Sequence, residues 1–245
     1  MLQLYQMPIS HYCEKIRWAL DFKRLDYQLR NLLPGLHIKK AKKLAPRSSL
    51  PILVHKGKAI QGSSEIINYL EEVFPDHPLT PQNPELKQEA LRWEQFADQE
   101  IGGHVRLICY HILLDYPDIV SPFFTHQGPW YGKFLIRRIY PRLQKTMREF
   151  MNINEQSFQE SLDHLRQAVA AVNAHLDGRD YFTGEQFSRA DLAHAALLAP
   201  LAMPAGYGLD WPPQVPDRLQ QVMDEIKPQI SWVDSLYANY RRAAD

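Results

Sequence analysis

Ser10-His11-Tyr12-Cys13-Glu14-Lys15-Ile16-Arg17 is the stretch on which the fold turns. Before it, Leu2-Gln3-Leu4-Tyr5 reads as a strand, and after it Glu14 to Lys23 reads as a helix with Ile16, Ala19 and Leu20 on one face. Ser10 stands at the entrance to that helix, where four amide N–H groups lack internal partners and the helix dipole is positive. Such an end stabilises a thiolate or another anion. Serine at this place is also an ordinary helix cap.

Working outward, the alternation continues. Tyr27 to Leu32 reads as a second strand, Pro51-Ile52-Leu53-Val54 as a short apolar one, and Lys56-Gly57-Lys58 as a tight turn into a returning strand at Ala59-Ile60. Ser63 or Ser64 caps a further helix running to about Glu72, with Ile66, Ile67 and Leu70 inward. The order is β-α-β-(short α)-β-β-α, and so small a mixed sheet buries its faces only beneath helices. Pro51 opens a buried strand without an N–H to donate, and a cis bond after Leu50 is one way to accommodate it.

Four prolines between Phe74 and Pro84 make a stiff connector, and the charge balance changes sign there. Residues 1–80 carry a net charge of +5 and residues 81–245 one of −5. Domains are expected at 1–76 and 85–245. The second shows no strands: Leu86 to Leu114, Lys133 to Met151, Glu155 to Leu176, Arg189 to Leu201, Pro216 to Ile226 and Ile230 to Arg242 all carry helical spacing. Tyr116 to Tyr131, with Pro117, Pro122, Gly128 and Pro129, reads as an aromatic loop or a broken helix.

Across all 245 residues, 28 basic and 28 acidic side chains cancel, which argues against a phosphate-neutralising nucleic-acid binder. Two cysteines, Cys13 and Cys109, exclude a disulfide scaffold. The ten histidines form no HxxxH pair and no cluster with cysteine, so no metal is expected. The N-terminus lacks a signal-peptide pattern and the longest apolar stretch, Ala193 to Ala205, is too short to span a bilayer, so a cytoplasmic protein is expected.

Taken together, several weak motifs resemble those of one family. The helix-entry pattern Ser10-x-x-Cys13, Gly35-Leu36-His37, Pro46-Arg47-Ser48-Ser49-Leu50-Pro51, Ser63-Ser64-Glu65-Ile66-Ile67-Asn68-Tyr69-Leu70, and Ser188-Arg189-Ala190-Asp191 come in the order and near the spacing of cytosolic glutathione transferases of the serine type. The resemblance covers residues 1–112 and 155–205 well and the middle poorly. It implies a thioredoxin-like α/β N-terminal domain that binds glutathione, an all-α helical bundle behind it, and a homodimer.

It further implies that glutathione conjugates a small hydrophobic electrophile. Ser10 would stabilise the cysteinyl thiolate, whose free pKa is near ~8.5. Leu50, before cis Pro51, would pair with the cysteinyl backbone; Ser63, with Ser64, would hold the γ-glutamyl carboxylate; His37 would approach the glycyl end, although an isolated histidine also reads as a surface residue. The family carries Glu, Gln or Asp before that serine, where this chain has Gly62, so the γ-glutamyl ammonium contact is missing or comes from Gln61, Glu65 or a partner chain. Asp191 in the Ser188 box reads as a folding residue. Tyr12, Tyr110, His111, Phe123 and Trp130 are candidates for the wall of an apolar pocket. Two other functions stay open: a thiol-dependent reductase or isomerase using Cys13, and a non-catalytic binding protein on the same scaffold.

Overall fold

The computed structural model describes residues 1–241. The chain opens with strand β1 (Leu2–Gln6), helix α1 (His11–Phe22), strand β2 (Tyr27–Asn31), helix α2 (His37–Leu44), strands β3 (Ile52–His55) and β4 (Lys58–Gln61), and helix α3 (Ser63–Val73). The sheet order is β2-β1-β3-β4. β1 pairs parallel with β2 and antiparallel with β3, and β3 pairs antiparallel with β4. The parallel pair needs a crossover, which α1 supplies. β1 alternates buried and half-buried residues along its length, as a strand beneath helices does.

Helices follow: α4 (Pro84–Phe96), α5 (Gly103–Leu113), α6 (Pro117–Thr125), α7 (Gly132–Phe150), α8 (Glu155–Leu176), α9 (Arg189–Ala202), α10 (Asp217–Ile226) and α11 (Trp232–Tyr240). None of the described helices is long and apolar enough to cross a membrane. α9 is the hub: its small and aliphatic side chains are buried on nearly all sides, against α1, α4, α5, α10 and α11. One apolar core runs from Leu4, Ile16 and Ile67 of the first elements into Ile101, Leu165 and Leu197 of the helices. A second cluster, with Leu33, Phe124, Ile136 and Tyr140, closes the α6–α7 pair.

The structure corrects several boundaries. α1 begins at His11, not Glu14, because Ser10 caps it. α3 is capped by Gly62 at φ 110°, so Ser63 is its first helical residue and not its cap. The stretch Leu86 to Leu114 is not one helix, since a π-helical turn at Ala97–Gly102 divides it. The aromatic stretch Tyr116 to Tyr131 contains α6. The last helix starts at Trp232, after a 3₁₀ turn at Lys227–Ile230 that holds Pro228; Arg242, its expected end, lies outside the described residues. The proline-rich connector is tied down: Lys23 Nζ donates to the carbonyls of Asp76 and His77, and Glu71 accepts the amides of Leu79 and Thr80.

Candidate functional site

The topology brings one set of chain ends together. β1 and β4 finish, and β3 starts, at the same end of the sheet, since Tyr5 lies opposite Ile52 and Ile52 opposite Gln61. The loop to Ser10, the Leu50–Pro51 bond and the start of α3 therefore share that end. Leu50–Pro51 is cis. Gln61 fixes the loop before it: its amide donates to the carbonyls of Arg47 and Ser49 and accepts the Arg47 N–H. That leaves Gln61 spent on the protein itself.

The loop from Met7 to Ser10 is held carbonyl by carbonyl. Met7 accepts the Ser10 N–H at 3.0 Å, Pro8 accepts Arg17, and Ile9 accepts the Tyr207 hydroxyl at 3.0 Å. Arg17 is in turn paired with the fully buried Glu14, which also pairs with Arg241. Ser10 Oγ accepts the Cys13 N–H at 3.4 Å, so the cap is real. Capping uses an acceptor site and leaves the hydroxyl able to donate. Ser10 is half-buried and lines a cavity.

Beneath Ser10, α1 docks on the π turn. A π turn leaves carbonyls outside the regular ladder, and buried carbonyls need partners. His11 Nε2 meets the Gly102 carbonyl at 3.0 Å and Tyr12 Oη donates to the Asp98 carbonyl at 2.8 Å. Burial, helped by the charge of Arg106, lowers the His11 pKa to about 3, so the ring is neutral and Nε2 carries the donated proton. A Cβ on Gly102 would stand 2.3 Å from Tyr12 Oη.

The cavity beside Ser10 and His11 is walled by Cys109, Tyr110, Leu113 and Phe123 on one side and Met203, Tyr207, Leu209 and Trp211 on another. Tyr110 and Phe123 line it as expected from sequence. Tyr12, His111 and Trp130 do not. Residues 106, 109, 110 and 113 recur at helical spacing on the cavity face of α5, so His111, one step further round, faces α8, with its ring on Phe158. Tyr12 is taken by the π turn, and Trp130 is 94% exposed. The wall from Met203 to Leu219 was missed. Its signal was two aromatic residues, Tyr207 and Trp211, in a segment otherwise rich in Gly and Pro.

Ser63 is buried at the start of α3, whose opening amides have no helical partners. Gly62 leaves room that the Glu65 carboxylate fills, since a Cβ there would fall 2.0 Å from Glu65 Oε2. Ser64 differs from expectation. Its hydroxyl donates to Asp98 at 2.7 Å and accepts from Lys15, which places it in a buried junction with Glu94 and Arg189. His37 is half-buried in a separate cleft with Tyr5, Arg30 and Lys40, and the structure does not bring it to the Ser10 cavity. Burial lowers its pKa and Nδ1 has no partner.

Burial pushes the Cys13 thiol up, an effect that the Ser10 hydrogen bond only partly opposes, and Cys13 is fully buried. Burial likewise raises Cys109 to about 12. Both thiols are therefore protonated at neutral pH. The structure also assembles a group that sequence spacing did not flag: Glu100 and His104, one turn apart, meet His164 of α8, with ligand atoms within 4.8 Å of one another.

Residues 4–79 match the family model of the glutathione S-transferase N-terminal domain, and residues 155–225 match that of the C-terminal domain. The chain belongs to the glutathione S-transferase family. Glutathione S-transferase 1 of Dianthus caryophyllus is 38% identical over 96 residues, which are 38% of this chain and 42% of that protein. The chain spans less than half the length of the first two curated relatives it matches. Among solved structures, a beta-etherase, LigF of Sphingobium sp. strain SYK-6, superposes with a TM-score of 0.69 at 23% identity, covering 97% of this chain and 95% of that one. A glutathione S-transferase of Methylobacillus flagellatus KT with glutathione bound gives 0.63 at 19% identity, covering 99% and 96%. The thioredoxin-like unit with a helical bundle behind it is the fold of this family.

Proposed function

We propose that the protein is a glutathione-dependent transferase in which Ser10 activates the thiol. The observation that carries this is the position of Ser10: at the N-terminus of α1, on the wall of a largely apolar cavity, and at the sheet end that also carries cis Leu50–Pro51 and Ser63. Residues 1–76 hold glutathione in this reading and residues 85–245 supply most of the electrophile pocket. Leu50 pairs with the cysteinyl backbone. Ser63 and the free amides of α3 take the γ-glutamyl carboxylate, which the helix dipole favours. Glu65, folded into the space beside Gly62, is the acidic group at hand for the γ-glutamyl ammonium. His37 and Ser64 have no part in it.

Chemistry follows from the environment. The Ser10 hydroxyl donates to the cysteinyl sulfur, and that hydrogen bond together with the helix end favours the thiolate. The thiolate attacks an electrophilic carbon held in the cavity between α5 and the Met203–Leu219 wall. A carbon–sulfur bond forms, and the leaving group departs with the electron pair of its own bond. Cys13 is a poor nucleophile here, because burial both hides it and keeps it protonated. By family resemblance, the assembly is a homodimer in the cytoplasm.

Calorimetric titration with reduced glutathione tests the reading. Binding in the micromolar to low millimolar range, lost in Ser63→Ala, supports it. A folded protein that takes up no glutathione at about 10 mM overturns it.

A further inference from the structure

We infer that the cavity beside Ser10 selects electrophiles bearing an anionic oxygen, a carboxylate above all, which Arg106 and Tyr110 hold together. This rests on the cavity being the electrophile site of the transferase proposed above. Arg106 and Tyr110 stand one turn apart on α5 and both line the cavity. Side chains four residues apart on a helix are neighbours, so the two donors converge on one patch of wall.

Neither donor has an acceptor. Among the described residues, the Arg106 guanidinium makes no ion pair and no hydrogen bond, and the Tyr110 hydroxyl makes no hydrogen bond. Of the other polar groups of the wall, Ser10 is the thiol's partner in the reading above, and three are spent on the protein: His11 on the Gly102 carbonyl, Tyr207 on Ile9, and Trp211 Nε1 on the Pro204 carbonyl at 2.9 Å. Among the described residues no acidic side chain lines the cavity, and the one formal charge on its wall is that of Arg106. After burial, the larger cause, Arg106 is what lowers the His11 pKa, and it opposes the burial that pushes Tyr110 up to about 12. Tyr110 is thus a proton donor at neutral pH. Arg106, exposed at the rim, and Tyr110, half-buried, are two donors without a protein acceptor beside a largely apolar wall, and they fit the planar fork of a carboxylate on an aromatic or aliphatic body.

The test reads binding without any reaction. Nitroaromatic compounds quench tryptophan, and Trp211 lies in the cavity wall. The probes are 3,5-dinitrobenzoate and neutral 1,3-dinitrobenzene, titrated into the full-length protein. The acid is expected to bind about tenfold tighter at low salt, with the gap narrowing as salt screens the charge. Arg106→Gln should bring the ratio of the two affinities close to one, and Tyr110→Phe should reduce it in part. Because the ratio is taken within each protein, a general change in the cavity cancels. Equal affinities in the wild type, a ratio untouched by Arg106→Gln, or binding of neither probe overturns the inference. Glutathione titration of the same samples separates the two readings. Glutathione binding beside equal probe affinities removes the subsite and leaves the transferase. Acid preference without glutathione binding removes the transferase, and with it the role of the subsite in choosing an electrophile.

Discussion

Asp191→Ala should become more destabilising as pH falls. Asp191 is buried, its Oδ1 accepts the Phe182 N–H at 2.9 Å, and its Oδ2 accepts the Ser188 N–H at 2.8 Å and the Ser188 hydroxyl at 2.7 Å. Truncation orphans two buried amides, at about 1–3 kcal/mol each. Working against this, burial raises the Asp191 pKa from 3.8 to about 6, because the carboxylate is taken out of water. A carboxyl with a raised folded-state pKa contributes fully below its unfolded pKa and loses stability as pH rises through the folded one. At pH 7 that loss is about 3 kcal/mol, and at pH 5 about 1.6 kcal/mol. The two terms nearly cancel at pH 7, where the net effect of Asp191→Ala runs from roughly 1 kcal/mol of stabilisation to roughly 3 kcal/mol of destabilisation, and it is about 1.3 kcal/mol more destabilising at pH 5. Urea denaturation of both proteins at the two pH values measures it. A gap that stays constant, or shrinks toward pH 5, would refute the assignment of Asp191 as a buried, charge-strained cap.

Two further perturbations probe the junction under the site. Lys15→Met strips Glu94 and Asp98 of a buried cation, both held at 2.9 Å, and should cost about 3–5 kcal/mol in a denaturant melt at neutral pH. Burial pushes the Glu94 carboxyl up, but Lys15 and Arg189 outweigh it and hold it low, so that part of the loss should fade as pH drops through the carboxylate range. Gly102→Ala drives a methyl into Tyr12 Oη and to 3.2 Å from Leu197, and should cost about 1–3 kcal/mol as Tyr12 leaves the Asp98 carbonyl. A melt unchanged from wild type would mean that the α1–π-turn contact is slack.

Local rules made much of this fold legible. Ser10 announced the start of α1 because a cap and a helix entrance share one chemistry, and the Ser188–Asp191 box did the same for α9. The proline before Ile52 left its bond open: a buried strand beginning without an N–H admits a cis bond, most X–Pro bonds are trans, and cis was what the family resemblance implied; the bond is cis. What the sequence left hidden depends on phase and on distance along the chain. The π turn divides what read as one helix, and His111, a pocket candidate from its place among aromatic neighbours, is turned toward α8 by the face of α5. Ser64 looked like a second ligand hydroxyl because Lys15, Glu94 and Asp98, which claim it, lie 30 or more residues away. Arg106 and the Tyr207–Trp211 wall join the cavity only when α5 and the segment after α9 fold against Ser10.

The central claim is that Ser10 lowers the pKa of the glutathione thiol. The direct measurement is the thiolate absorbance of glutathione bound to the protein, followed against pH, in wild type and Ser10→Ala. The account predicts a bound thiol titrating one or more units below the ~8.5 of a free thiol, returning toward that value in Ser10→Ala while glutathione still binds. A bound thiol that titrates alike in both proteins would contradict it.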